Sequence, residues 1–282
     1  MAKRFSTAKI RGVVNMGKES EESMDEALHL VVLVDEACPT WLAIAVRDVL
    51  VPERDAHVDV ALLGSSYPVL GIDVAVIVAG GSEELVRNAI RMFAAQRHYV
   101  VVVAETSLDI PDTQLPAKLS QFVTVVVGSE KPQLYEKFSA ALLDSTDKHV
   151  SCAANFGFCR NAATARLVSK CAARNAVMGV AGFVPGAGMP LMTMNQVNLS
   201  FDMAATYGKG LSLGRVPEVV FVVAAGIVYR GIGRMLLRKL PHVGHLLRIG
   251  LAYGGTLLTG RILSEHFIAS LPPSDEVEVT TV

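Results

Sequence analysis

The stretch Val74–Asp109 reads VAVIVAGGSEELVRNAIRMFAAQRHYVVVVAETSLD. Val74–Val78 is a continuous apolar run rich in β-branched residues, the pattern of a strand buried on both faces. It ends at Gly80-Gly81. Ser82 is placed to cap a helix, its hydroxyl accepting an otherwise unpaired backbone N–H. Glu83 and Glu84 suit the positive end of that helix, which is predicted over Glu83 to about Ala95. Val100–Val103 follows as another buried-type strand. Strand, helix and strand in this order predict parallel pairing.

The alternation continues in both directions. Leu30–Val34 (LVVLV), Val58–Leu63 and Phe122–Val127 read as strands. Pro39 suits the first turn of a helix through Trp41–Leu50, and a last helix spans about Gln133–Leu143. Residues 29–148 are therefore expected to form an α/β domain, a three-layer parallel sheet of about five strands. Ligands of such domains lie at the carboxyl ends of the strands. After the first strand the chain reads Asp35-Glu36-Ala37-Cys38-Pro39-Thr40. A phosphate cradle needs GxxxxGK[ST]; this loop lacks those glycines and the lysine, and its two carboxylates would repel a phosphate. The Gly80-Gly81-Ser82 turn could offer N–H groups to an anion. With two glutamates already at that helix end, it reads as a capped turn.

Charge divides the chain. Residues 1–150 carry 14 basic and 21 acidic side chains, and residues 151–282 carry 12 and 6, within a net charge of −1. The halves attract each other, or the basic half faces an acidic partner or lipid. Nucleic acid is not expected, because the basic residues sit in apolar helices with few aromatic neighbours. The four cysteines form no CxxC pair, which predicts reduced thiols. His149, Cys152 and Cys159 match no zinc spacing, so neither a metal nor a cofactor is expected. Residues 1–28 lack the apolar segment of a secretory signal. They run into the acidic GKESEESMDE and are expected to be a flexible tail, as are residues 270–282.

The second half is apolar and helical. Asn175–Phe201 (NAVMGVAGFVPGAGMPLMTMNQVNLSF) holds 27 residues without a charge, broken at its centre by glycines and prolines. A straight spanning helix needs about 20 apolar residues in one piece, so this run predicts a hairpin that dips into a membrane or fills a core. Helices are expected near 160–183, 191–207, 216–239 and 244–268, forming a bundle. Gly250 and Gly254 stand at a spacing that suits close helix contact. Arg166, Lys170 and Arg174 share one helix face, as do Arg230, Arg234 and Arg238. Like charges one turn apart call for an anionic counter-surface: the acidic half, lipid headgroups or a partner. Asn195, Gln196 and Asn198, polar in an apolar helix, read as interhelical glue or as the lining of a polar path.

Val76–Asp109 resembles the part of an Era-like small GTPase running from its third strand to its guanine-reading strand end. Where that family has Asn-Lys-x-Asp, this chain has Thr106-Ser107-Leu108-Asp109, and Gly128-Ser129-Glu130 stands in place of the family's Ser-Ala loop. The phosphate loop and the magnesium-binding Asp-x-x-Gly are missing. The resemblance implies a degenerate P-loop GTPase-like domain that does not hydrolyse nucleotide. Residues 155–269 are expected to form a hydrophobic helical domain, and about 160–268 of them are similar to the hydrophobic C-terminal domain, of unknown function and YcjF-related, that accompanies Era-like bacterial GTPases. The similarity rests on VPGAGMPLMTMNQVNLSFDMAATYG, on RVPEVV and GIVYRGIGRMLLRKLPHVG, and on IGLAYGGTLLTGRILSEHF. It implies a membrane-associated helical module and no reaction.

The sequence thus predicts a non-enzymatic protein, membrane-associated on the cytoplasmic side. Its first half is expected to bind a protein partner, and its second to anchor to anionic lipid or to form a homo-oligomer. The alternatives are a surviving hydrolase using Asp35 and Asp109, or a soluble interaction module in the cytoplasm.

Overall fold

The structure, a computed structural model, describes residues 7–65, 71–180, 188–210 and 244–270. They fall into two compact units, one formed by Lys18–Ala165 with Ala205–Gly210 and the other by the remaining described residues. In chain order the elements are α1 (Thr7–Met24), β1 (His29–Val34), α2 (Thr40–Val49), β2 (His57–Leu62), β3 (Val74–Val78), α3 (Glu83–Ala95), β4 (Tyr99–Ala104), α4 (Ala117–Ser120), β5 (Val123–Val127), α5 (Lys131–Asp144), α6 (His149–Asn155), α7 (Arg160–Val180), α8 (Gly188–Thr206) and α9 (Gly244–Ala269).

All five expected strands form, and they pair in parallel in the order β2-β1-β3-β4-β5. Burial on both faces explains their near-continuous Val, Ile and Leu content. Leu30, Val32, Val76 and Val101 face one way, into a core closed by Leu42 and Val46 of α2, Phe138 and Leu142 of α5, and Cys152 of α6. Val31, Leu33, Ile77 and Val102 face the other way, against Val86, Ile90 and Phe93 of α3. The fold of this unit is therefore α/β with helices on both faces. β2 is an edge strand, and its Val60 and Leu62 are exposed.

The α/β unit reaches further along the chain than residues 29–148. Asn155 at the end of α6 ties down the loop before β2, its side-chain oxygen accepting from Ala56 N (3.0 Å) and its carbonyl from Glu53 N (2.9 Å). Arg160 pairs with Glu53 and lies over the ring of Tyr207, 5.8 Å from its centroid. Arg54 reaches the carbonyl of Gly208 and the carboxylate of Asp25. Gly208 has φ +68°, a left-handed position that suits glycine after a helix end.

Residues 7–24 form α1, where the sequence predicts a flexible tail. The acidic and serine-rich letters mislead because most of them lie on the exposed side of this helix. Ser20 and Met24 are buried, Met24 packing with Ala154 and Ala205. The expected helix near 216–239 lies outside the described residues, as does the tail 271–282.

The end of α3 holds a backbone conformation that its residue suits poorly. His98 N donates to Phe93 O and Arg97 N to Ala94 O, both at 3.0 Å, and the His98 ring packs edge-on to Phe93. This is a Schellman closure, whose left-handed position favours glycine, yet Arg97 occupies it at φ 63°. Arg97→Gly is expected to raise unfolding stability by about 1 kcal/mol, measured as a higher urea midpoint at unchanged slope.

Candidate functional site

In a doubly wound sheet the ligand crevice lies where the strand order reverses, outside the carboxyl ends of the flanking strands. Here that place is between β1 and β3. β1 delivers Asp35 to it, and β3 delivers Gly80, Gly81 and Ser82. The amides that would greet an anion are present but already engaged. Asp35 Oδ2 accepts from Gly80 N (3.1 Å) and Ser82 N (2.9 Å). Its Oδ1 accepts from Ser82 Oγ (2.7 Å) and Ala37 N (3.1 Å). Asp35 is only 1% exposed, so a carboxylate of the chain itself fills the anion position. Burial pushes this carboxyl up, but the hydrogen bonds from the Ser82 hydroxyl and from the Ser82, Ala37 and Gly80 amides outweigh it. The net effect holds Asp35 below its ordinary range.

The expected capping role of Ser82 is corrected by this geometry. Its side chain makes no cap bond to α3, because the hydroxyl is turned back to donate to Asp35. The loops also close on each other sterically: a Cβ on Gly80 would fall within the backbone of Ala37 and Cys38. Burial and the neighbouring Asp35 charge raise the Cys38 thiol above its ordinary range, despite an opposing bond from the Ala43 amide. At neutral pH it is a weak nucleophile. At the end of β4, Asp109 is held by the Thr106 amide (3.0 Å) and hydroxyl (2.8 Å) in a reciprocal cap of a short 3₁₀ turn.

The helical unit places some of the expected site residues together. Asn195 Nδ2 donates to Asn175 Oδ1 (3.0 Å), and Asn175 Nδ2 donates to Thr256 Oγ1 (2.9 Å). One amide chain thus joins α8, α7 and α9 across their buried sides. Asn198 instead bonds within its own helix to Asp202 (3.0 Å), and Gln196 is buried. On α7, Lys170 and Arg174 are exposed and Arg166 is half-buried. Arg230, Arg234 and Arg238 lie outside the described residues.

α9 mixes large apolar side chains with charged ones, Arg261 and Glu265, on its exposed surface. Its buried positions are Gly255, Thr256, Thr259, Gly260, Leu263 and Phe267, while Tyr253, Leu257, Leu258, Ile262 and Ile268 are exposed. A Cβ on Gly260 would overlap the methyl groups of Val168 on α7, so close approach falls at this glycine. Gly250 and Gly254, expected to be the contact pair, instead face open space. The sequence carried the small-residue signal but not the helix rotation that decides which glycines pack.

No family model, no curated protein and no solved structure matches this chain.

Asp35→Asn should cost about 2–3 kcal/mol at pH 7, since an amide nitrogen then faces buried N–H donors. Because the folded pKa of Asp35 is lowered, its contribution is present above the unfolded value near 3.9 and lost as pH falls through the folded value. Urea midpoints of wild type and Asp35→Asn are therefore expected to differ most near neutrality and to converge in acid.

Proposed function

We propose that this chain is a non-enzymatic, membrane-associated protein. Its degenerate GTPase-like α/β unit binds a protein partner, and its helical unit attaches it to anionic lipid on the cytoplasmic side. The observation that carries the membrane reading is the set of large apolar side chains that α9 leaves exposed, Tyr253, Leu257, Leu258, Ile262 and Ile268. In water, leaving five large apolar side chains of one helix exposed forgoes part of the main driving force of folding. In lipid it is the favoured arrangement, with small residues allowing helices to approach and hydrogen-bonding groups kept inside. The amide chain through Asn195, Asn175 and Thr256 follows the same logic. Exposed Lys170 and Arg174 supply charge for headgroups. Among the described residues no helix is long and apolar enough to cross a membrane; the attachment proposed is an apolar face set into the interface.

The platform reading is supported by the crevice between β1 and β3. A phosphate there would have to displace Asp35 from four hydrogen bonds and would meet its charge. The same bonds keep Asp35 from serving a catalytic magnesium ion, which counts against a surviving hydrolase built on Asp35 and Asp109. The four cysteines are free thiols, which suits the reducing side of a membrane.

Membrane pellets washed with alkaline carbonate test the anchor. Wild type is expected to stay in the pellet, and Leu257→Ser combined with Leu258→Ser and Ile262→Ser to move to the supernatant with its helicity retained. Wild type that never pellets would refute membrane attachment, and a stable soluble dimer would mark the apolar face as a self-association surface instead. Calorimetric titration with GTP or ATP plus magnesium is expected to give no saturable binding; a micromolar Kd would revive the hydrolase.

A further inference from the structure

The opposite end of the sheet, away from the crevice, carries a cluster that neither the platform nor the anchor reading uses. β1 begins at His29 and β2 at His57, and the parallel register sets these two residues side by side. Side chains alternate along a strand, so Asp59 shares the face of His57. Asp59 pairs in register with Val31, itself on the α3 side of the sheet. Three polar side chains therefore converge on a sheet face that is otherwise apolar.

Their ligand atoms lie close together. His29 Nε2 lies 2.8 Å from Asp59 Oδ2, and His57 Nε2 lies 3.0 Å from Asp59 Oδ1. The imidazole rings meet edge to face with centroids 4.8 Å apart. All three ligand atoms lie within 4.8 Å of one another. Bonds of about 2.0–2.2 Å to a tetrahedral ion put ligand atoms roughly 3.3 Å apart, so an ion would draw these atoms together and replace the His–Asp hydrogen bonds. Each imidazole need only move its hydrogen from Nε2 to Nδ1 to offer a lone pair.

The support behind the cluster is fixed. Asp73 Oδ2 accepts from the main-chain N of His29 (2.8 Å), and Lys148 Nζ pairs with Asp73 Oδ1 (2.6 Å) while donating to the carbonyl of Ala27. The start of β1 is thereby held, and the Lys148 charge is directed to Asp73. The hydrogen bond from His29, against a smaller opposing effect of burial and with help from His57, keeps the Asp59 carboxyl below its ordinary range.

We propose that His29, His57 and Asp59 form a binding site for a divalent transition-metal ion of the zinc class. Two imidazoles and one carboxylate select such an ion over magnesium or calcium, which prefer all-oxygen shells. Three protein ligands leave a fourth position for water or for a group from a partner. The side chain of His57 is 69% exposed, which gives an ion access from solvent.

The test is calorimetric titration of the full-length protein with zinc chloride, with cobalt(II) as a visible-absorption probe of coordination. One equivalent is expected to bind with a Kd at or below about 10 µM. His57→Ala and Asp59→Asn are each expected to weaken binding at least ~10-fold and to abolish the cobalt band, with circular dichroism unchanged. Magnesium should give no heat. The proposal is overturned if wild type shows no saturable zinc binding, leaving the cluster a hydrogen-bonded network. It is equally overturned if His57→Ala binds as tightly as wild type, which would place the ion on the cysteines.

Discussion

The α/β unit is organised around one buried carboxylate. Asp35 gathers the amides of Ala37, Gly80 and Ser82 and the hydroxyl of Ser82, and so joins the loop after β1 to the loop after β3. A buried charge is tolerable only when its hydrogen bonds replace its hydration. These four do, and the contact cannot loosen without stranding an anion and three backbone donors. In other doubly wound domains the same amides are kept for a ligand. Here a side chain of the chain itself accepts from those amides and fixes the pair of loops.

The helical unit combines an apolar interior with buried hydrogen-bonding groups. It buries Asn175, Thr256 and Thr259 beside Leu199, Phe201, Leu263 and Phe267, and it leaves Leu257, Leu258 and Ile262 of α9 exposed. Close approach at Gly260 and the amide chain through Asn175 are short-range interactions that work without water to drive them.

Much of this was legible in the sequence. The strands could be read because strands buried on both faces are written as unbroken runs such as Val100–Val103, and α3 because of its apolar periodicity. α1 was hidden, since its charged letters outnumber the few residues that anchor it. The reversal of Ser82 from cap to Asp35 donor could not be read, because the competing acceptor lies 47 residues earlier in the chain. Neither could the pairing of His29 with His57: parallel register is a property of the assembled sheet, and no local motif encodes it. On α9 the sequence offered several glycines at packing intervals and no means of choosing among them.

The attachment of Ala205–Gly210 to the α/β unit has a consequence for how the chain comes to be folded. Arg54 and Arg160 emerge early, but Gly208 and Tyr207, which they hold, are made only after residues 166–204. At about 5–20 residues per second, synthesis of that stretch takes several seconds. During this interval the sheet can form while two arginines wait without their final contacts. A unit whose sheet can form early is thus completed only after α7 and most of α8 have been made, and before α9 is.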